Sequence, residues 1–317
     1  SESRRNYIIK LDTSLCRHCG FMYRTPILSH DEQRQYYESS YYETFKPQKP
    51  EDIDKTKNYL SENLEKKYGM YITFLKDRGV TFSDKRILDV GTGGGSFLFV
   101  CKKEGPAYIL GIEPSKAATE MAQSFCVNED VEVINGCLND YPVEKIGKFD
   151  VVTMIGVIEH LSDPREILVS IRKYLTDDGV LYVHTHDESP GFFLDIKRQI
   201  SLVHQLYFTR RTMSAFMEDA GFVVENMTTS PGMMNVIVKN NKAETALKQS
   251  ADTSSTTFRI SRFHYMALKY AYLFCGSLPH VFFVFNSSLR RLFILPVKFL
   301  RQPKRYIKRF KGIFANG

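Results

Sequence analysis

The chain has 317 residues, 43% of them apolar and 25% charged, with 19 Gly, 12 Pro and 6 Cys. Those values exclude collagen-like, disulfide-scaffold and wholly disordered classes, and they suit about two domains or one large domain with appendages. The net charge of +7 is uneven: residues 253–317 hold twelve Lys/Arg and no Asp or Glu, which leaves −5 on residues 1–252.

The first residues, SESRRNYIIK, lack the apolar stretch of a signal peptide. The cysteines are Cys16, Cys19, Cys101, Cys126, Cys137 and Cys275. A chain of this size holds a core without disulfides, so a reducing cytoplasm is expected. Cys16-Arg17-His18-Cys19-Gly20 resembles the second knuckle of a zinc ribbon. Such a site needs four ligands, and no second pair follows; His18 and His30 are poor substitutes. Two readings stand: a ribbon that binds zinc through Cys16 and Cys19 with an upstream knuckle, or a relic without metal. Residues 1–50 otherwise read as irregular. Tyr36, Tyr37, Tyr41 and Tyr42 form either an aromatic packing face or a lid, with Tyr41 the candidate for substrate contact.

Residues 55–78 carry apolar side chains near helical spacing and predict one amphipathic helix, closed by Gly79. Strands and helices then alternate. Strands are predicted at 86–90, 107–112, 131–136, 149–156 and 180–186, the last after an Asp178-Gly179 turn. Helices are predicted near 96–103, after Pro114, after Pro164 and around 209–220. Strands at 222–227 and 234–240 have no helix between them. This pattern predicts an α/β fold, an open, mostly parallel sheet with helices on both faces and an antiparallel hairpin at its edge.

The densest signal is Leu88-Asp89-Val90-Gly91-Thr92-Gly93-Gly94-Gly95-Ser96, at a strand-to-helix junction. Glycine there permits a tight turn and close ligand approach, and the helix start offers free N–H groups. The spacing is G-x-G-x-G after an acidic residue, unlike the G-x-G-x-x-G of dinucleotide sites. The next strand ends in Glu113, whose carboxylate suits a pair of ribose hydroxyls. Residues 136–140 (GCLND), 149–152 (FDVV), 158–161 (IEHL) and 178–181 (DGVL) follow in order. On these segments residues 60–240 resemble class I S-adenosylmethionine-dependent methyltransferases. The resemblance implies a Rossmann-like seven-stranded sheet and S-adenosyl-L-methionine as cofactor. It implies that Asp89 and the backbone of Gly91, Gly93 and Gly95 hold the methionine part, and that Glu113 takes the ribose. Pro114, Cys137 and Leu138 would lie at the adenine, with Met154 and Ile155 along the methionine side. Some sugar methyltransferases resemble the whole layout, with a ribbon-like segment before the catalytic domain. The domain expectation is a lid or partial ribbon at 1–50, the methyltransferase domain at 51–240, a polar linker at 241–258 and a helical basic tail at 259–317.

Methyl transfer to a hydroxyl needs an in-line approach and a base, a task suited to histidine. His160, His184, His186 and His204 fall near the C-terminal ends of strands, where open α/β sheets bind ligands. His184 is expected to be a satisfied core residue. His204 is the first candidate base and His160 the second, with His186 and Tyr207 as substrate contacts. A magnesium site of His160, His186 and His204 lacks the oxygen-rich ligand set that ion prefers.

The tail interleaves Phe, Leu, Ile and Val with Lys and Arg, which suits an anionic membrane surface better than a packed subdomain or nucleic acid. The functional expectation is an O-methyltransferase of a glycan or small hydroxylated, lipid-linked substrate, peripheral on the cytoplasmic membrane face. The alternatives are a sugar C- or N-methyltransferase, a quinone-like lipid methyltransferase, and an inactive cofactor-binding scaffold. RNA methylation calls for a basic cleft, which an acidic body does not supply.

Overall fold

The computed structural model describes residues 12–16, 19–25, 27–39, 53–126, 130–188, 204–230 and 232–241. Tyr41, most of the linker and the whole basic tail lie outside these residues. The N-terminal segment is more regular than its composition suggests. Strands β1 (Asp12–Leu15) and β2 (Met22–Thr25) form an antiparallel hairpin around the Cys16–Cys19 turn, and α1 (His30–Ser39) follows. α2 (Ile53–Lys76) then occupies the region predicted as one long helix.

The alternating body follows. It comprises β3 (Arg86–Val90), α3 (Ser96–Cys101), β4 (Tyr108–Glu113), α4 (Lys116–Cys126), β5 (Val131–Asn135), a short α5 (Val143–Ile146) and β6 (Phe149–Ile155). A single 3-10 turn (Ile158–His160) leads to α6 (Pro164–Tyr174), β7 (Leu175–His186), β8 (Leu206–Tyr207), α7 (Arg210–Asp219), β9 (Phe222–Ser230) and β10 (Met233–Asn240). The seven-stranded sheet runs β5-β4-β3-β6-β7-β10-β9. Its first five strands are parallel, and β10 inserts antiparallel between β7 and β9. The edge hairpin is thus present, with its second strand on the inside.

Strand alternation builds two cores, one on each face. Leu88, Val152, Met154, Leu181 and Val183 face α6 and α7, meeting Leu168, Ile171 and Met213. Their neighbours Ile87, Val151 and Tyr182 face the other way, onto Leu75 of α2, Leu98 of α3 and Ala122 of α4. Each aliphatic side chain buried in this way contributes about 1.5–3 kcal/mol. Local chemistry sets the helix starts. Asp163 accepts the Glu166 amide at 2.9 Å, and Pro164 fixes the first helical position of α6. Thr209 and Thr212 cap α7 reciprocally. β7 begins at Leu175, earlier than the Asp178-Gly179 turn suggested. Leu175 pairs with Phe149 and Val180 with Val151, so a bulge absorbs the intervening residues.

The N-terminal hairpin does not stand apart from the body. β2 pairs antiparallel with β8, Met22 with Tyr207 and Tyr23 with Leu206, giving a second sheet of order β1-β2-β8. No described helix is long and apolar enough to cross a membrane.

Candidate functional site

The C-terminal ends of β3, β4 and β6 open onto a cavity of about 320 Å³. Asp89 lies beneath its floor, 3% exposed, and Thr153 on the neighbouring strand donates to its Oδ1 at 2.5 Å. Burial pushes the Asp89 carboxyl up to about 7, with the Glu113 charge adding to the rise and Thr153 opposing it. The chain then turns through Gly91 and Gly93, whose φ angles are +72° and +55°. A Cβ at Gly91 would stand 2.6 Å from Val157 Cγ2, so glycine is required there for space as well as conformation. Gly93 has nothing within 4 Å of that position and faces open space.

Glu113 ends β4 and braces this loop. Its Oε2 accepts the Gly93 amide at 2.8 Å and its Oε1 accepts the Ser115 amide at 2.9 Å. Burial raises its pKa and these two amides lower it. Thr92 lines the cavity, and its buried hydroxyl, like that of Thr153, interacts with the Asp89 carboxylate and lowers its pKa. A glycine turn open to a cavity and a braced carboxylate fit a polar ligand bearing hydroxyl and ammonium groups.

Of the anticipated cofactor contacts, Gly91, Gly93, Glu113, Pro114, Cys137, Leu138 and Ile155 line the cavity. Met154 does not. It is fully buried in the α6/α7 core because β6 alternates, which puts Ile155 alone on the cavity side. Gly95 is the residue before α3, and its amide donates to Thr92 O in the turn.

Of the histidines, His160 lines the cavity. His204 is packed behind it, with ring centroids 4.8 Å apart, and His186 packs against His204 at 4.7 Å. His204 is 9% exposed; burial and the two neighbouring imidazoles push its pKa down to about 3. His184 is a satisfied core residue, as expected, with Nδ1 2.8 Å from Asn235 Oδ1. Tyr207 is buried in β8, and its hydroxyl donates to the His204 carbonyl, so it does not face the cavity. Cys16 and Cys19 form no disulfide and pack against the core. Among the described residues they belong to no group of three metal-ligating side chains.

Sequence reasoning missed several residues. α1 contributes Gln33, Arg34 and Tyr37 to the cavity wall. Gln33 donates to the His160 carbonyl and accepts the Ser162 amide, which clamps α1 over the β6–α6 loop. Tyr37 meets His160 edge-on at 6.3 Å, so the tyrosine-rich stretch reaches the site through Tyr37; Tyr41 lies outside the described residues. Glu159 is the second omission. It is 3% exposed, accepts Thr185 Oγ1 at 2.8 Å and is pushed up to about 7 by burial. A charged residue inside an otherwise apolar Val-Ile-Glu-His-Leu run was the available signal.

A family model described as a methyltransferase domain matches residues 60–226, more than half of the chain. Among curated proteins, the chain is similar to the ubiquinone biosynthesis O-methyltransferase of Neisseria meningitidis, at 30% identity over 115 residues, 35% of this chain and 48% of that protein. The enzyme of the same name from Histophilus somni is 29% identical over 120 residues, 36% and 50% of the two chains. The chain spans about half the length of the curated relatives it matches. Among solved structures, magnesium protoporphyrin IX methyltransferase from Synechocystis with bound SAH aligns at a TM-score of 0.47 and 14% identity, covering 65% of this chain and 96% of that one. An S-adenosylmethionine dependent methyltransferase from Mesorhizobium loti aligns at 0.46 and 14%, covering 53% and 96%.

Proposed function

The chain belongs to the methyltransferase-domain family, and from that premise we propose that it moves a methyl group from S-adenosylmethionine to an oxygen of a small hydroxylated acceptor. The observation that carries this reading is the Gly91–Gly93 turn braced by Glu113, with Asp89 buried beneath it, on a cavity that His160 also lines. Bound there, the cofactor supplies a methyl group activated by its sulfonium. Asp89 and the Gly91 and Gly93 backbone would hold the amino-acid portion, and Glu113 the ribose hydroxyls. Pro114, Cys137 and Leu138 would flank the adenine, and Ile155 the methionine side.

His160 is the better base, ahead of His204, which ranked first from sequence. It lines the cavity, whereas His204 stands behind it with its basicity suppressed. A base within reach of the acceptor proton contributes about 10²–10⁴-fold. Gln33, through the His160 carbonyl, fixes this segment, and Tyr37 covers it from α1.

The activity named for the ubiquinone-biosynthesis relatives supports a phenolic, quinone-like acceptor. The basic, apolar tail supports a lipid-linked one at an anionic membrane. The Cys16–Cys19 knuckle supports the glycan reading through its resemblance to sugar methyltransferases, and zinc at that pair belongs to the same reading. Assaying labelled S-adenosylmethionine against polyprenylated catechols and a glycan panel separates the two. O-methylation of the catechols that is cut by His160→Ala supports the first. Label on sugars alone replaces it with the glycan reading, and label on neither overturns O-transfer to both classes.

A further inference from the structure

Glu159, His186 and His204 come from three segments distant in sequence: the turn after β6, the end of β7 and the entry to β8. One ligand-type atom from each lies within 4.8 Å of the other two. The geometry points to a site for one divalent transition-metal ion of the zinc type, held by this carboxylate and two imidazoles directly behind the His160 wall of the cavity.

The donor set selects the ion. Two imidazoles and one carboxylate suit zinc and its first-row neighbours, whereas magnesium asks for oxygens. Ligand–metal bonds of about 2.0–2.1 Å put tetrahedral ligand atoms about 3.4 Å apart, so the three side chains close on the ion by about 1 Å. Neither imidazole makes a hydrogen bond within the described residues; their recorded neighbours are ring contacts. Thr185 donates to Glu159 Oε2 and fixes the carboxylate, as hydrogen bonds to metal-ligating carboxylates do.

A second observation is independent of the triad. Glu188, two residues beyond His186, is 4% exposed, and its Oε1 has no hydrogen-bond partner. Glu188 thus keeps a buried carboxylate oxygen that a ligand could satisfy. Three protein ligands also leave a fourth position for water or an acceptor oxygen.

The test uses full-length protein without a histidine tag, stripped with chelator and titrated with Co²⁺. One Co²⁺ per chain is expected, with visible absorption of a low-coordinate site and displacement by Zn²⁺. X-ray absorption of the Zn²⁺ form should show a nitrogen and oxygen shell with imidazole scattering. The Cys16→Ser/Cys19→Ser double variant should keep the ion. His186→Ala should lose at least about 100-fold in affinity while still binding S-adenosylhomocysteine, which reports its fold. If that variant does not fold, the ligand shell of the wild-type protein decides. Sub-stoichiometric uptake by the wild type, a sulfur-containing shell, or unchanged affinity in a folded His186→Ala overturns the site. Failure here leaves the methyl-transfer reading intact, because cofactor binding is measured separately.

Discussion

Glu113 Oε2 holds the Gly93 amide at 2.8 Å, so the end of β4 braces the glycine turn that leaves β3. The same carboxylate holds the Ser115 amide at 2.9 Å, at the start of α4. One side chain thereby ties together the two loops that form the cavity floor. Glu113→Ala removes two charge-assisted bonds worth about 1.5–3 kcal/mol each. Amide hydrogen exchange at residues 91–95 and 115 should quicken markedly, and affinity for S-adenosylhomocysteine should fall at least about 10-fold. Unchanged exchange in this loop would show that the brace is not what orders it.

Asp89 retains its proton up to about 7 because it is buried, against about 3.9 for an exposed aspartate. Between those values the folded state binds more of this proton than the unfolded chain does. The group therefore makes stability fall as pH rises from about 4 to about 7, with no further change above. Asparagine at this position does not titrate. Without cofactor, Asp89→Asn should gain on the wild type across that interval, each pH unit being worth about 1.4 kcal/mol. Denaturant melts at several pH values measure the difference between the two proteins. A difference constant with pH contradicts the assignment.

His160 and His204 touch, yet they should separate kinetically. His160→Ala should bind S-adenosylhomocysteine as the wild type does and lower kcat by about 10²–10⁴-fold. His204→Ala empties space in a packed cluster and should lower the melting temperature as well as the rate. Equal kcat in His160→Ala and the wild type would remove His160 from the proton-transfer role.

The tail makes a separate prediction. Twelve cations interleaved with large apolar residues should bring the full chain down with anionic phosphatidylserine vesicles and not with neutral ones. Affinity should fall as salt rises, and removal of residues 253–317 should abolish co-sedimentation. If the full chain stays in the supernatant with both vesicle types, the membrane role of the tail is wrong.

The parallel ladder was legible because each of its strands is a short apolar run bounded by turns, and the Gly91–Gly93 turn because a glycine pattern after Asp89 has few other uses. The pairing of Met22 and Tyr23 with Leu206 and Tyr207 was not legible. It rests on two residue pairs some 180 positions apart, and neither segment has a period of its own. The phase of β6 decided Met154 against Ile155, and a one-residue change in phase exchanges their faces. Glu159 stood out in the sequence only as part of the 158–161 (IEHL) segment. Only the fold reveals that it is buried against Thr185 and next to two histidines from other segments.

The central claim is that the Asp89–Gly93–Glu113 cradle binds the cofactor, and titration calorimetry with S-adenosylhomocysteine tests it most directly. One site on the wild-type chain, lost in Asp89→Ala, is expected. No binding to the wild type, or the same affinity in a folded Asp89→Ala, would contradict it.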